Sequence, residues 1–440
     1  MKFLSVKSVI IRNSVRNIIM ESKFIINGEK PLSGSIKVKG AKNAALKVFP
    51  LVLMTDEPIE VVNVPDIEDC HRAQEMLAAL GHSVKKLGID KMQIQRQNRT
   101  CLNLSAELVN KFRASIMFVG PLLATCGEVY FPHPGGCVIG AGTRPIDMFL
   151  DGFDKMGAKL EVLENKYRLT AKKLKGANIF FPKITVTGTE SLMTTACLAQ
   201  GETILENCAM EPEISALAGL LNRMGAKIEG AGTPTIKIEG VKKLSGGEYQ
   251  IIPDRIETGT FAILAAASNS GAIVIEDCEP KHLGSLWALF DKIGVNYELD
   301  KSSVKILPTD KILATDVTTH EYPGFATDLQ SPFTVLMTQA EGVSLIHETI
   351  YDRRLLFADL LTQMGANIIM ADPHRVVVNG PAKLYGRKLI SPDLRAGMAL
   401  VIAALIAKGK TEIGNIYQIE RGYEKLAERL KNIGADIVKV

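Results

Sequence analysis

Six times along the chain an amphipathic stretch ends in an apolar residue followed by Gly, and in four of the six Ala comes next: Leu80-Gly81, Met156-Gly157-Ala158, Met224-Gly225-Ala226, Ile293-Gly294, Met364-Gly365-Ala366 and Ile433-Gly434-Ala435. The instances lie about 70 residues apart and mark six equal units. Helical spacing precedes the glycine, as in Tyr423, Leu426, Leu430 and Ile433, and alternation follows it, as in Ala435-Asp436-Ile437-Val438. Glycine at that junction predicts a helix that stops in a left-handed cap and hands over to a strand.

Each unit holds a second helix, rich in small apolar residues, that runs into another break at Asp56, Gly127, Gly201, Gly271, Gly342 or Gly409, with a strand expected after it. Ala44 to Met54, Ile116 to Ala124, Phe261 to Ala267 and Met398 to Ala407 are apolar nearly all round, so they should lie inside a layer rather than on a surface. The unit is mixed α and β. Two groups of three units fit 440 residues better than one ring, because single cores stop growing beyond about 250–300 residues.

Counting back fourteen residues from each break lands on Lys42, Arg113, Thr187, Glu257, Asp328 and Arg395, all polar and all near the start of a buried helix. Capping accounts for Thr187, Glu257 and Asp328. It does not account for the cations, which oppose the helix dipole by about 0.3–1 kcal/mol each. Cations at buried helix starts predict a bound anion, a phosphate or a carboxylate.

The second unit is irregular. From break to closing glycine takes 30 residues between Gly127 and Gly157, against 23 to 25 in the other five. The excess is a glycine-rich loop, His133 to Pro145, containing Cys137 and Arg144, which reads as a mobile lid. A thiol in such a loop near an arginine suits an acid or a nucleophile, and Pro145 suits the first position of the next helix.

Composition narrows the chemistry. Net charge is +4, from 52 basic and 48 acidic residues interspersed along the chain, which leaves no electrostatic footprint for nucleic acid. The apolar run Met398 to Ala407 is about half a membrane span, so no membrane partner is expected. Seven cysteines without CxxC spacing predict reduced thiols in a cytoplasmic protein, and scattered histidines predict no metal site. The basic segment 1–19 lacks a signal peptide's apolar stretch and reads as a disordered extension before a natural start at Met20. There is no GxxxxGK[ST], GxGxxG or GxSxG motif, which removes the usual signs of nucleotide hydrolysis, dinucleotide redox chemistry and serine hydrolysis.

Seven segments in order carry a resemblance: Gly40-Ala41-Lys42-Asn43-Ala44-Ala45-Leu46, Arg113-Ala114-Ser115-Ile116, Pro134-Gly135-Gly136-Cys137, Pro253-Asp254-Arg255-Ile256-Glu257-Thr258-Gly259-Thr260, Phe325-Ala326-Thr327-Asp328, Asp393-Leu394-Arg395-Ala396 and Arg421-Gly422-Tyr423-Glu424. From about Met20 to Val440 the chain resembles the UDP-N-acetylglucosamine 1-carboxyvinyltransferase family. The resemblance implies an α/β fold of two inside-out barrels, each of three βαβαββ repeats: residues 42–252 carrying the Cys137 loop, and 20–41 plus 253–440. The active site would lie in the cleft between them.

The resemblance also implies the reaction. The enolpyruvyl group of phosphoenolpyruvate would pass to the 3-hydroxyl of UDP-N-acetylglucosamine by addition and elimination of phosphate, with no metal, cofactor or obligatory protein partner. Lys42, Arg144 and Arg395 would bind phosphoenolpyruvate, Asn43 would steady the tetrahedral intermediate, and Arg113 would shape the closed site. Cys137 would donate the proton and be the thiol that fosfomycin alkylates; Asp328 would be the base. The nucleotide sugar would lie along Arg144, Pro145, Ile146, Asp147 and Met148, along Lys183, Ile184, Thr185 and Val186, and against Ile350, with Arg354 a further site arginine. Relative to the family's spacing, Gly142-Thr143 is an insertion between Cys137 and Arg144. Two other readings are a 5-enolpyruvylshikimate-3-phosphate synthase-like transferase, whose GNAGT-type motif is absent where Arg113-Ala114-Ser115 stands, and a nucleotide-sugar-binding regulator without catalysis, which would have no use for an acid and a base together.

Overall fold

The computed structural model describes residues 22–97, 104, 106–109, 113–132 and 146–440. The readings of the segment 1–19 and of the loop with Cys137, Arg144 and Pro145 lie outside the described residues. All six helix-ending glycines have positive φ, from 81° at Gly81 to 108° at Gly365. A strand follows every one of the six breaks: Ile59–Val62, Glu128–Pro132, Glu202–Glu206, Ile273–Glu276, Gly342–His347 and Lys410–Gly414.

The described strands form six sheets, five of four strands and one of three. The repeat shows plainly in the third unit. Asn178–Phe180 pairs in parallel with Glu202–Glu206, which pairs antiparallel with Thr235–Glu239, whose hairpin partner is Lys227–Glu229. The parallel pair flanks the buried helix Val186–Ala196, and the hairpin follows the amphipathic helix Pro212–Arg223. One sheet face is packed and the other wet, as the alternating burial of Thr235–Glu239 records.

Buried apolar residues form two clusters. One runs from Ala41 to Ile251; the other joins Phe24 to Val38 with Ile256 to Ile437. Helices lie inside and sheets outside. In the second cluster Arg255–Ser268, Thr327–Met337 and Leu394–Ile406 pack on one another, and every residue from Arg395 to Leu405 is buried. This is why those helices read as apolar on all sides.

The chain passes between the clusters twice, at adjacent points. Strands Phe24–Asn27 and Gly34–Lys37 belong to sheets of the second cluster. The chain then crosses at Gly40 and returns at Pro253, and these two residues bridge antiparallel. Ala41 N–H donates to Ile252 O at 2.7 Å and Asp254 N–H to Lys39 O at 2.9 Å. A side chain at Gly40 would put its Cβ 1.9 Å from the Asn63 carbonyl oxygen, so the crossing admits only glycine.

Three expectations need correction. Thr187, Glu257 and Asp328 are not the caps of their helices. Thr185, Asp254 and Asp393 cap three internal helices by accepting N–H bonds, while Ala41 and Ala326 precede theirs without side-chain caps. The stretch from Tyr423 is not one helix, because Lys425 takes a left-handed conformation and the helix begins at Leu426. Cys126 is disulfide-bonded, unlike the free, buried Cys70, Cys197, Cys208 and Cys278, so the thiols are not uniformly reduced.

Two expected outcomes follow from packing and burial. Gly225 has φ 98° and nothing within 4 Å of the place a methyl group would take, so Gly225→Ala should cost only backbone strain, about 1–2 kcal/mol. Gly120→Ala drives its Cβ to 2.0 Å from Thr195 Oγ1 on the neighbouring internal helix and should cost more, up to about 3 kcal/mol. Denaturant melts that rank them the other way would contradict this packing. His82 is buried with neither ring nitrogen partnered among the described residues, and burial, aided by Arg96, pushes its pKa down to about 4 from 6.5. The unfolded chain therefore binds this proton more tightly, so the stability tied to neutral His82 is complete above pH 6.5 and lost as pH falls towards 4. Between pH 7 and 5 the melting temperature should drop further in the native sequence than in His82→Leu; parallel curves would refute the assignment.

Candidate active site

The internal helices present their first turns to one another. Asp393 accepts the N–H groups of Arg395 and Ala396 at 2.8 and 3.0 Å, which squares the start of Leu394–Ile406 and aims Arg395. Asp328 lies in the first turn of Thr327–Met337. Arg354 opens the short turn Arg354–Phe357 after left-handed Arg353.

These three side chains meet. Arg354 Nη2 donates to Asp328 Oδ1 at 2.7 Å, and Arg395 Nη2 to Asp328 Oδ2 at 2.8 Å. The arginine side chains are only 3% and 9% exposed while Asp328 keeps 25%, so the carboxylate is the face of the cluster that a small molecule can reach. Burial alone would raise the Asp328 pKa, but Arg395 and Arg354 outweigh it and hold the carboxyl well below the usual range. Arg395 Nη1 also donates to Tyr423 Oη at 3.4 Å, and its guanidinium lies 5.9 Å from that ring's centre.

Behind Arg354 a second acid fixes the geometry. Its Nη1 donates to Thr327 Oγ1 at 2.9 Å, and that hydroxyl donates to Glu348 Oε2 at 2.8 Å. Glu348, fully buried, also accepts the N–H groups of Ile350 and Tyr351 at 2.9 and 3.1 Å. Ile350 is thereby tied to the arginine–aspartate cluster through backbone.

Lys42 heads the helix Lys42–Val48 and belongs to a neighbouring cluster. Its Nζ is 2.7 Å from Asp69 Oδ2, and Arg421 Nε donates to Asp69 Oδ1 at 2.9 Å. Burial would raise the Asp69 pKa, yet Lys42 and Arg421 hold it low. The two clusters connect through Asp254. That buried carboxylate accepts Lys42 N–H at 3.1 Å, caps Arg255–Ser268, and is in electrostatic contact with Arg395. Asp69 stands between Ile67 and Cys70 of the first core and Arg421 between Ile419 and Tyr423 of the second, so buried charge joins the two cores here. Arg255 and Glu213, 3.2 Å apart, cross it again.

The remaining expected residues are placed as follows. Asn43 is half-buried one residue after Lys42, and Arg113 is half-buried at the start of Arg113–Phe118. Thr185 caps Val186–Ala196 by accepting Gly188 N–H at 3.1 Å, with Ile184 and Val186 half-buried beside it and Lys183 exposed. Ile146 is buried before the helix Asp147–Lys155, Asp147 is exposed and Met148 half-buried. The structure thus joins Asp328, Arg354 and Arg395 directly and Lys42 through Asp254; among the described residues no hydrogen bond or ion pair ties the 183–186 or 146–148 segments to that group.

Asp69, Asp254, Thr327, Glu348 and Tyr423 belong to this assembly without having stood out in the sequence. Four of the five lie in or beside the seven motif segments or the Ile350–Arg354 segment, so proximity was the available signal; Asp69 had none beyond an acid at the start of an amphipathic helix. Among the described residues no group of three or more His, Cys, Asp or Glu is placed to hold a metal ion, and no helix is long and apolar enough to cross a membrane.

Residues 26–430 match the family of EPSP synthase (3-phosphoshikimate 1-carboxyvinyltransferase). A UDP-N-acetylglucosamine 1-carboxyvinyltransferase of Koribacter versatilis is 45% identical over 423 residues, covering 95% of this chain and 96% of that one. Another, of Halothermothrix orenii, is 44% identical and covers 95% and 99%. In three dimensions the enolpyruvyl transferase NikO of Streptomyces tendae superposes with a TM-score of 0.85 at 24% identity, covering 96% and 99% of the two chains. EPSP synthase of Acinetobacter baumannii gives 0.72 at 17% identity, covering 96% and 100%. The two-core, six-repeat α/β architecture is therefore the enolpyruvyl transferase fold, and the chain belongs to the EPSP synthase family and, within it, to the UDP-N-acetylglucosamine 1-carboxyvinyltransferases.

Proposed function

We propose that this protein transfers the enolpyruvyl group of phosphoenolpyruvate to the 3-hydroxyl of UDP-N-acetylglucosamine and releases inorganic phosphate, the first committed step of peptidoglycan precursor synthesis. The observation that carries the reading is the Arg354–Asp328–Arg395 cluster, with Lys42 one carboxylate away, at the junction of two cores. The two cores, 42–252 and 20–41 plus 253–440, act as two domains with the substrates between them. The relatives' names support this substrate pair over a shikimate acceptor.

The chemistry assigns each group a task. In the addition step the acceptor oxygen bonds to C2 of phosphoenolpyruvate as C3 takes a proton, giving a tetrahedral phospho-ketal. In the elimination step C3 loses a proton and the C2–O bond to phosphate breaks, restoring the double bond. Lys42, Arg395 and Arg144 hold the phosphate and carboxylate charges, Asn43 steadies the intermediate and Arg113 shapes the closed site. Cys137 donates the proton; it and Arg144 lie outside the described residues. The nucleotide sugar runs along Arg144 to Met148, Lys183 to Val186 and Ile350.

Asp328 is the base, and its surroundings restrict when it can act. A carboxylate clamped by two guanidiniums is a poor proton acceptor. A doubly charged anion that takes Arg395 would release one of the two clamps and restore basicity only once phosphoenolpyruvate is bound. Arg354 then keeps the carboxylate oriented towards the sugar hydroxyl.

The protein mixed with both substrates should release phosphate without added metal. Release with shikimate 3-phosphate in place of the nucleotide sugar would point to the other transferase, and tight nucleotide-sugar binding with no turnover would point to a regulator. Asp328→Asn should lower kcat by about 100-fold or more while leaving KM for the nucleotide sugar nearly unchanged; a loss confined to KM would remove the base assignment.

A further inference from the structure

Lys47 stands five residues after Lys42, and Glu190 three residues after Thr187. At the position of Lys47 the other five repeats carry Phe118, Leu192, Ala262, Phe333 and Leu400; at that of Glu190 they carry Ala45, Ile116, Thr260, Ser331 and Met398. All ten are buried and uncharged. The fold evidently fills both positions without ions. In the first core a lysine and a glutamate take them instead and pair with each other, Lys47 9% exposed and Glu190 fully buried.

The pair is an expensive way to fill space. Glu190 Oε1 has no hydrogen-bond partner among the described residues. Burial pushes the carboxyl up to about 7 against the pull of Lys47, with Glu213 and Glu211 adding to the rise. Well-packed apolar side chains of similar volume would hold these helices as well or better. What a desolvated ion pair adds is a preferred geometry, since sliding one helix against the other exposes a buried charge without its partner. The helices concerned carry different parts of the proposed site: Lys42–Val48 bears Lys42 and Asn43, and Val186–Ala196 begins at the 183–186 segment.

We infer that the Lys47–Glu190 ion pair is a positioning device: it sets the helix that bears Lys42 and Asn43 against the helix that begins at the nucleotide-sugar segment, so that the two substrates meet in register. The inference rests on the transfer reaction proposed above. The test uses the full chain with Lys47→Leu and Glu190→Met together, the sixth repeat's own residues at these positions, alongside Lys47→Arg, which keeps the charge. The double variant should melt at or above the native temperature yet lose about tenfold or more in kcat, while Lys47→Arg keeps about half or more of it. A double variant with native kcat and KM overturns the inference, as does one that fails to fold, because the pair would then serve stability. Lys47→Arg as slow as the double variant overturns it too. Absence of phosphate release from the native protein sinks the reaction and this inference with it, which is a distinct result from native turnover shared by all three.

Discussion

A carboxylate shared between two buried guanidinium groups is the constraint around which this molecule is arranged. Asp328, Arg354 and Arg395 come from three separate elements, and none of these charges is stable in the interior alone. Together they leave one net positive charge facing a reachable carboxylate. Such a cluster resists protonation and at the same time holds an arginine that an incoming anion can claim. The caps and the Glu348–Thr327 relay serve to keep the donors aimed, because the geometry of a charge-assisted bond must be held for it to offset desolvation.

The second feature is where the cluster sits. Helix starts from both cores, at Lys42, Arg255 and Leu394, meet around Asp254. The paired crossings at Gly40 and Pro253 hold those helix starts together, since both connections run side by side and are hydrogen-bonded to each other. Buried ion pairs between the cores, Asp69 with Arg421 and Glu213 with Arg255, then span the junction. Interfaces rich in paired charge can be remade with water or ligand, whereas an apolar junction of the same size would lock the cores together.

Local sequence is a good guide wherever local physics decides. Glycine is the residue that takes positive φ without penalty, so six glycines at a fixed period announce six helix ends. Helices apolar on every side have to lie between layers, and they do. Where expectation and structure part, the competing possibilities are close in energy. A polar residue at a helix start can cap it from the preceding position or sit within its first turn. Thr187, Glu257 and Asp328 take the second course, because Thr185 and Asp254 cap two of the helices and the third begins at Thr327, after Ala326, without a side-chain cap.

Sequence alone is enough to define the unit: its length, its two kinds of helix, the polar residue heading each buried helix, and through the ordered motifs the family. It could not say which of those polar residues touch. Arg354 and Asp328 are 26 residues apart, Asp328 and Arg395 are 67, and Asp69 and Arg421 are 352. Pairings of that range depend on how repeats rotate about a core and where the chain crosses between cores, and burial of charge decides among them only once the helices have packed. The low proton affinity of Asp328 is a property of that packing, since the same aspartate in an isolated helix would titrate like any other.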